Sequence, residues 1–170
     1  MAPAPAQSLV LHVGAKLTTA TRSGPGEDVA MRVIRHGPVM LAASQARAAK
    51  AAGIAAARVV RAAARQVVER AQLDPFLGGP CPVLVSSGIA RAVITLGSSG
   101  QSRATVEEIH GATDALAETW VQAKAGEKPD PWAEPMMVGA AVLGAILDWV
   151  GATDVAAAAE PAREQTSIGD

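Results

Sequence analysis

The longest regular pattern of apolar and charged residues is an alanine-rich run at residues 43–73. It contains no proline and a single glycine, Gly53, and alanine is the strongest helix former, so the run predicts one long helix. At helical spacing its small apolar side chains fall on one side and its basic side chains on the other. A short apolar run at residues 39–42 predicts a strand before it. The basic side of the predicted helix comprises Arg47, Lys50, Arg58, Arg61 and Arg65.

Upstream of this helix the pattern predicts one strand and one short helix. Residues 7–18 alternate between the two faces of an extended chain, which is typical of a strand. The polar stretch at residues 18–26 predicts a loop. Residues 25–36 predict a helix, because Glu27 and Asp28 would lie in its first turn, where the helix dipole favours carboxylates.

Downstream of the long helix, the chain predicts a closing pair of strands. The segment that follows the helix is rich in glycine and proline and predicts a loop. Apolar residues at 81–86 and 89–96 then predict two strands, joined by a hairpin turn at residues 86–88. The first 100 residues therefore predict the order β-α-β-α-β-β.

The remaining residues predict two helices and a tail. Thr105 and Glu108 have the spacing of a capping box, in which each side chain bonds the backbone N–H of the other at the start of a helix. That helix is predicted to reach residue 124, and a more apolar helix is predicted at residues 132–150. The predicted organisation is a flexible lead-in, a first domain, a helical extension and a flexible tail, at residues 1–7, 8–100, 101–150 and 151–170.

The charges are divided unevenly between the two halves of the chain, although the formal net charge is −1. Residues 1–73 contain ten Lys and Arg against three Asp and Glu, for +7, and residues 74–170 contain five against thirteen, for −8. A basic half suits a polyanion, and an acidic half beside it suits a regulatory segment or a partner. The alternative is that the two halves attract each other within the fold or across a dimer.

The cysteine content and the apolar runs indicate a cellular compartment. Cys81 is the only cysteine, so no intramolecular disulfide is possible, which is typical of a reducing compartment. The first residues lack the basic and apolar regions of a signal peptide. The most apolar run, residues 136–150, contains Asp148 and is shorter than a membrane span. The sequence therefore predicts a cytoplasmic protein.

Two short stretches resemble those of a known family. Residues 13–16 read Val-Gly-Ala-Lys at a predicted strand end, and residues 48–55 read Ala-Ala-Lys-Ala-Ala-Gly-Ile-Ala in the predicted helix. Over residues 8–97 the pattern is similar to that of the stage V sporulation protein S (SpoVS) family, in the Alba-like superfamily. The resemblance implies an α/β, two-layer, Alba-like β-α-β-α-β-β unit, here followed by two C-terminal helices. It also implies a dimer that binds nucleic acid or acts in gene and sporulation control.

Under this resemblance, the basic surface is predicted to contact the phosphate backbone of DNA or RNA without reading its sequence. The resemblance supplies Lys16 and Lys50, and further arginines are predicted to lie near those two lysines. Aromatic residues are scarce in this half, which argues against a base-stacking platform. The predicted nucleic-acid-binding residues are Lys16, Arg22, Arg47, Lys50, Arg58, Arg61, Arg65 and Arg91.

The residues leave two functions open. The first is a non-enzymatic nucleic-acid-binding or regulatory protein, whose acidic helices modulate the basic surface or compete for it. The second is a structural or assembly subunit, in which basic and acidic halves of neighbouring copies meet in a homo-oligomer or particle. The basic stripe is also compatible with a solvated helix face that binds nothing.

No motif predicts catalysis, a cofactor or a bound metal. Glu107 and His110 have the E-x-x-H spacing of di-iron bundles, but a second copy and further carboxylates are missing, so both are predicted to be surface residues. The glycines and serines at 97–100 predict a plain turn, since no lysine of a phosphate-binding loop follows. The single cysteine and the histidines have no neighbours that would pair a nucleophile with a base. The chain is therefore predicted not to be an enzyme.

Overall fold

Six strands and five helices account for most of the residues that the computed structural model describes, which are residues 7–23, 30–74, 81–122 and 130–158. Expectations for the segments between and beyond these ranges, including most of the lead-in, lie outside the described residues. The strands are β1 (Ser8–Val13), β2 (Leu17–Ser23), β3 (Ala30–Arg35), β4 (Val83–Val85), β5 (Arg103–Thr105) and β6 (Asp154–Ala157). The helices are α1 (Gly37–Ala48), α2 (Gly53–Arg70), α3 (Gly88–Gly97), α4 (Val106–Gln122) and α5 (Ala133–Val150).

The strands form one mixed sheet in the order β3-β2-β1-β4-β6-β5. β1, β2 and β3 are an antiparallel meander, β4 and β6 continue the sheet parallel to β1, and β5 pairs antiparallel with β6. The connections from β1 to β4 and from β4 to β6 cross the sheet in the same direction, and such crossovers are right-handed. The helices consequently lie on one face of the sheet, where they pack on one another.

The core lies between this helical layer and the sheet. Leu9 and Leu11 of β1 are fully buried, because alternate side chains of a strand point to the same face. Helix α5 supplies the centre of the layer, with every residue from 137 to 147 buried. A Cβ on Gly139 would lie 2.9 Å from Ile89, so the small residues of α5 permit close approach to α3. Close backbone packing thus takes the place of large aromatic side chains, which are scarce in the sequence.

Helix α5 is the one helix in the described part of the chain that is long and apolar enough to cross a membrane, with a mean hydropathy of 1.4. Its central residues are buried against α2, α3 and α4 rather than exposed on an outer surface. The helix therefore serves as the core of a soluble-type α/β domain.

The prediction of an Alba-like β-α-β-α-β-β unit followed by two helices is wrong. The sheet has six strands, and residues 17–23 and 30–35 form β2 and β3 where a loop and a helix were predicted. Gly14 makes the tight turn into β2 by donating its N–H to the Leu17 carbonyl at 2.8 Å. The threonines of β2 favour an extended chain, and they pair with β3, as in Thr19 opposite Val33. Cross-strand pairing therefore outweighs the helix signal.

The alanine-rich run forms two helices instead of a strand and one long helix. Pro38 occupies the first turn of α1, where its fixed φ and missing N–H are tolerated. Residues 39–42, predicted to be a strand, are therefore helical. After α1 ends, Lys50 adopts a φ of 51°, in the left-handed region, and α2 begins at Gly53. This break reverses the chain so that α1 packs against α2.

Residues 89–96, predicted to be the second strand of a hairpin, lie in helix α3. Ser87 is its N-cap, and the Ser87 Oγ accepts a hydrogen bond from the Ala90 N–H. A serine cap before an apolar run starts a helix, and here it outweighs the strand preference of the β-branched residues that follow. At the other end of the chain, the segment 151–170, predicted to be a flexible tail, contains β6.

Two predictions for the second half of the chain are confirmed. The Thr105 N–H donates to Glu108 Oε2 at 2.7 Å, and the Glu108 N–H donates to Thr105 Oγ1 at 3.2 Å, so the capping box is present at the start of α4. Helix α5 closely matches the apolar helix predicted at residues 132–150. In both segments, the sequence pattern that predicts the helix lies within the helix itself.

Gly97 and Gly111 provide a matched test of the packing between α3 and α4. A Cβ on Gly97 would lie 2.7 Å from the Glu108 carbonyl oxygen, whereas one on Gly111 would meet nothing within 4 Å. We expect Gly97→Ala to lower the free energy of unfolding by about 1–3 kcal/mol, because backbone must shift. We expect Gly111→Ala to raise it by about 0.5–1 kcal/mol through helix propensity. Urea unfolding measures both, and equal effects of the two substitutions would contradict the packing.

Candidate functional site

The topology places a crevice at the carboxyl ends of β1 and β4. These two strands are parallel neighbours, with Leu11 opposite Val85. From β1 the chain turns towards β2 on one side, whereas from β4 it continues through α3 towards β5 and β6 on the other. Ligands of open α/β sheets bind where successive connections leave in opposite directions in this way.

A cleft of about 570 Å³ occupies that position. One wall is the turn from β1 into β2, beginning at His12, and the other is the first turn of α3. The start of α5 covers one end with Met136 and with Trp132, whose side chain is 58% exposed. The cleft thus joins a mostly apolar surface to a helix N-terminus.

The N-terminus of α3 is fixed by a serine and left open by a glycine. The Ser87 Oγ accepts hydrogen bonds from the Ala90 N–H at 3.3 Å and from the Val13 N–H at 3.2 Å, so it ties α3 to β1. A Cβ on Gly88 would meet nothing within 4 Å, and no acidic residue lies in the first turn. A helix N-terminus presents backbone N–H groups and a partial positive charge, which favour an anion.

His12 and Ser86 form a hydrogen-bonded pair at the rim of this cleft. The His12 Nδ1 lies 3.3 Å from the Ser86 Oγ, and both side chains are exposed. Among the residues that line the cleft, His12 is the one with an ionisable side chain. It is therefore the residue there that can accept or donate a proton.

His36 lies buried behind the turn from β1 to β2 and joins it to α1. Its N–H donates to the Lys16 carbonyl at 2.9 Å, and its Nε2 lies 2.9 Å from the Thr18 Oγ1. Burial lowers the pKa of His36 to about 4, although the Ala15 backbone partly opposes the shift. The His36 Nδ1 has no hydrogen-bond partner of good geometry among the described residues. A neutral His36 therefore supports the cleft wall at neutral pH.

The predicted basic residues are spread over several elements of the fold. Lys16 is exposed on the turn beside the cleft. Arg22 is on β2, where its guanidinium donates to Gln7 Oε1. Arg91 is on α3 and donates to the Ala158 carbonyl at 2.9 Å. These three residues thus lie on three different elements.

The other five predicted residues lie on α1, α2 and the break between them. The Arg47 guanidinium stacks on the Trp120 ring at 4.4 Å, and Lys50 borders the same shallow depression. On α2, Arg61 makes an ion pair with Asp114 of α4 at 2.8 Å. That ion pair joins the basic half of the chain to the acidic half within one molecule. The remaining two, Arg58 and Arg65, are exposed on α2.

Of the E-x-x-H pair, the histidine has a structural role. Glu107 is exposed, whereas the His110 Nε2 lies 3.2 Å from the Asp148 carboxylate of α5. Within the described ranges, no three His, Cys, Asp or Glu side chains are grouped closely enough to hold a metal ion. The contact between His110 and Asp148 therefore links α4 to α5.

Comparison with solved structures identifies the fold as that of Ppx/GppA phosphatases. The type II variant of the Aquifex aeolicus Ppx/GppA phosphatase superposes with a TM-score of 0.61 at 10% identity, over 90% of this chain and 53% of the other. An exopolyphosphatase-like protein gives 0.62 at 14% identity, over 91% and 55%. A further structure of the Aquifex aeolicus PPX-GPPA enzyme gives 0.60 at 10% identity, over 92% and 54%.

The likeness is one of fold, and the chain spans about half the length of these neighbours. No protein-family model matches the sequence, and no curated protein is significantly similar to it.

These comparisons overturn the sequence-based identification. None of them supports a SpoVS or Alba-like protein, and the solved structures named above are described as Ppx/GppA proteins or as exopolyphosphatase-like. The expectations of SpoVS membership, of a non-enzymatic nucleic-acid-binding regulator and of a role in sporulation are therefore wrong. Contact of the eight basic residues with a phosphate backbone, and assembly into a homodimer or larger homo-oligomer, are untested by these findings and stay predictions.

Sequence reasoning missed the cleft because it depends on strand order. The available signal was the Ser-Ser-Gly at residues 86–88 before an apolar run, which is typical of a capped helix N-terminus as well as of a turn. Placing Ser87 beside Val13 required the parallel pairing of β1 with β4, which are separated by β2, β3 and two helices. No local pattern specifies that pairing.

Proposed function

We propose that this chain is a phosphatase-type domain that binds the phosphoryl group of a phosphate ester or anhydride in the cleft and takes part in its hydrolysis. The observation that carries the proposal is the open N-terminus of α3 at the carboxyl ends of β1 and β4. The fold supports it, because the solved structures that share this fold include one described as a Ppx/GppA phosphatase and one described as exopolyphosphatase-like. Since the chain spans about half of those structures, the proposal names a substrate class rather than a particular substrate.

Each wall of the cleft has a role in this proposal. The first-turn N–H groups of α3 that Ser87 does not bond bind the phosphoryl oxygens, and Gly88 leaves room for backbone contact. Charge that develops on those oxygens during transfer is stabilised by the same donors. His12 exchanges a proton with the attacking or leaving oxygen. The apolar surface formed by Met136 and Trp132 limits access of water.

Gly88→Asp tests this proposal and separates binding from folding. A carboxylate in the first turn favours the helix dipole, so we expect the variant to be as stable as the wild type or more stable. The same carboxylate repels a phosphoryl group, and we expect binding of tripolyphosphate to weaken by about tenfold or more, which is about 1.4 kcal/mol. Isothermal titration calorimetry measures the binding, and thermal unfolding measures the stability.

Gly88→Ala is the matched control, because its Cβ meets nothing within 4 Å and it adds no charge. We expect it to bind tripolyphosphate as the wild type does. Hydrolysis is measured as orthophosphate released from p-nitrophenyl phosphate, pyrophosphate and polyphosphate, with and without a divalent cation. Equal affinity of the Asp and Ala variants would contradict the site, and absence of both binding and release in the wild type would contradict the function.

We also propose that the protein works in the cytoplasm. The support is its single cysteine, Cys81, which is a free thiol and belongs to a reducing compartment. Fractionation of cells that express the chain, followed by detection in soluble and membrane fractions, tests the location. Recovery in the membrane or outside the cell would contradict it.

A further inference from the structure

We propose that Ser86 is a nucleophile that accepts the phosphoryl group and that His12 is its base. The inference rests on the proposed function and deepens it, because it replaces direct attack of water by a covalent intermediate. It starts from the hydrogen bond between the His12 Nδ1 and the Ser86 Oγ, which is 3.3 Å long.

The strand register brings these two residues together. Leu11 of β1 is opposite Val85 of β4, and both are buried beneath the helices. His12 and Ser86 each follow by one residue, so their side chains leave the buried face and are exposed at the carboxyl edge of the sheet, where His12 lines the cleft. The Ser86 N–H donates to the Leu11 carbonyl at 3.0 Å, which fixes the backbone of Ser86 next to β1. The pair is therefore held by the sheet and yet exposed to solvent.

Ser86 and Ser87 are neighbours in sequence but differ in what their hydroxyl oxygens do. The Ser87 Oγ is buried and accepts two backbone hydrogen bonds, from Val13 and Ala90. Its lone pairs are occupied, and the oxygen serves as the cap that holds α3 on β1. The Ser86 Oγ is exposed and has a histidine as its partner. Of the two serines, Ser86 is the one that can attack a substrate.

Ser86 lies close along the chain to the turn of α3 at which the phosphoryl group is proposed to bind. Gly88 is two residues further along the chain, which spans at most about 7 Å. The cleft includes both His12 and Gly88, so the base and the phosphoryl-binding backbone border the same space. In the neutral His12 ring, the Nδ1 accepts the hydrogen bond from the Ser86 hydroxyl, and the Nε2 carries the proton. The Nε2 is therefore the atom that can donate a proton within the cleft.

The reaction has two balanced steps. In the first, the Ser86 Oγ forms a bond to phosphorus, its proton passes to the His12 Nδ1, and the bond from phosphorus to the leaving oxygen breaks. The His12 ring then gives a proton to the leaving oxygen. In the second, a water loses a proton to His12 and attacks the phosphorus of the phosphoserine, and the Ser86 oxygen leaves and takes up a proton. The products are the alcohol or shortened phosphate chain and orthophosphate.

The test uses the full chain with p-nitrophenyl phosphate as the substrate. The reaction is quenched in acid during turnover, and peptide mass spectrometry then searches for a phosphoryl group on Ser86. We expect the group on Ser86 in the wild type, and we expect Ser86→Ala and His12→Gln each to reduce the release of p-nitrophenol by about 100-fold or more. Ser102→Ala is the matched control, since Ser102 is exposed on the loop before β5 and away from the cleft.

The outcomes separate this inference from the function on which it rests. If p-nitrophenol is released and no phosphoserine forms at residue 86, water attacks directly, and the nucleophile is excluded while the proposed function stands. Release by Ser86→Ala at the wild-type rate has the same meaning. If the wild type neither releases p-nitrophenol nor binds tripolyphosphate, both proposals fail. Thermal unfolding of each variant distinguishes a loss of activity from a loss of folded protein.

Discussion

Replacing Leu143 by alanine is expected to lower the free energy of unfolding by about 3–4 kcal/mol, within the range found for leucines in protein cores. Leu143 lies in the centre of α5 and is 0% exposed. Helix α5 contacts α1, α2, α3 and α4, so a cavity there removes contacts that the whole helical layer shares. Because folded domains are stable by about 5–15 kcal/mol, this is a large fraction of the total.

Urea unfolding followed by circular dichroism measures this loss. Leu41→Ala makes the same chemical change in helix α1, where the side chain is 59% exposed, and it serves as the matched control. We expect the control to change stability by less than about 1 kcal/mol. If both variants lost the same amount, Leu143 would not be a core residue and α5 would not be the centre of the fold.

The second large effect is a loss of stability in acid that depends on His36. Burial lowers the pKa of His36 from 6.5 to about 4, so the unfolded chain binds this proton at a higher pH than the folded chain does. The contribution of His36 to stability is therefore complete above pH 6.5 and decreases as the pH falls towards 4. The total loss is about 3 kcal/mol, since one pKa unit corresponds to about 1.4 kcal/mol.

His36→Gln isolates this effect from the titration of carboxylates. Glutamine keeps an amide near the Thr18 hydroxyl but does not bind a proton in this pH range. From pH 7 to pH 4, we expect the unfolding free energy of the wild type to fall by about 3 kcal/mol more than that of the variant. A constant difference between wild type and His36→Gln would contradict the buried, neutral histidine.

The sequence predicts the elements whose signals are local. The capping box of Thr105 and Glu108 and the apolar helix α5 are examples, because each is specified within one or two helical turns. The helical character of the alanine-rich run is also local. The break at Lys50 was missed because a left-handed residue other than glycine has no reliable sequence signal.

The sheet and the candidate site depend on contacts between distant residues. β2 contains threonines in a polar stretch that predicts a loop, and it becomes a strand because β1 and β3 pair with it on both sides. The cleft needs β4 to lie beside β1, although about 70 residues separate His12 from Ser86 in the chain. Residue types at the site are ordinary serine, glycine and histidine, so composition and spacing gave no signal of chemistry.

The position of β6 determines when the molecule is able to fold. This strand is the last element in the described chain, and it lies between β4 and β5 in the interior of the sheet. During synthesis, β5 has no neighbour in the sheet until β6 is made, because β6 is the strand with which it pairs in the described structure. A growing chain therefore holds an incomplete sheet, with open edges on β4 and β5, until β6 has been made.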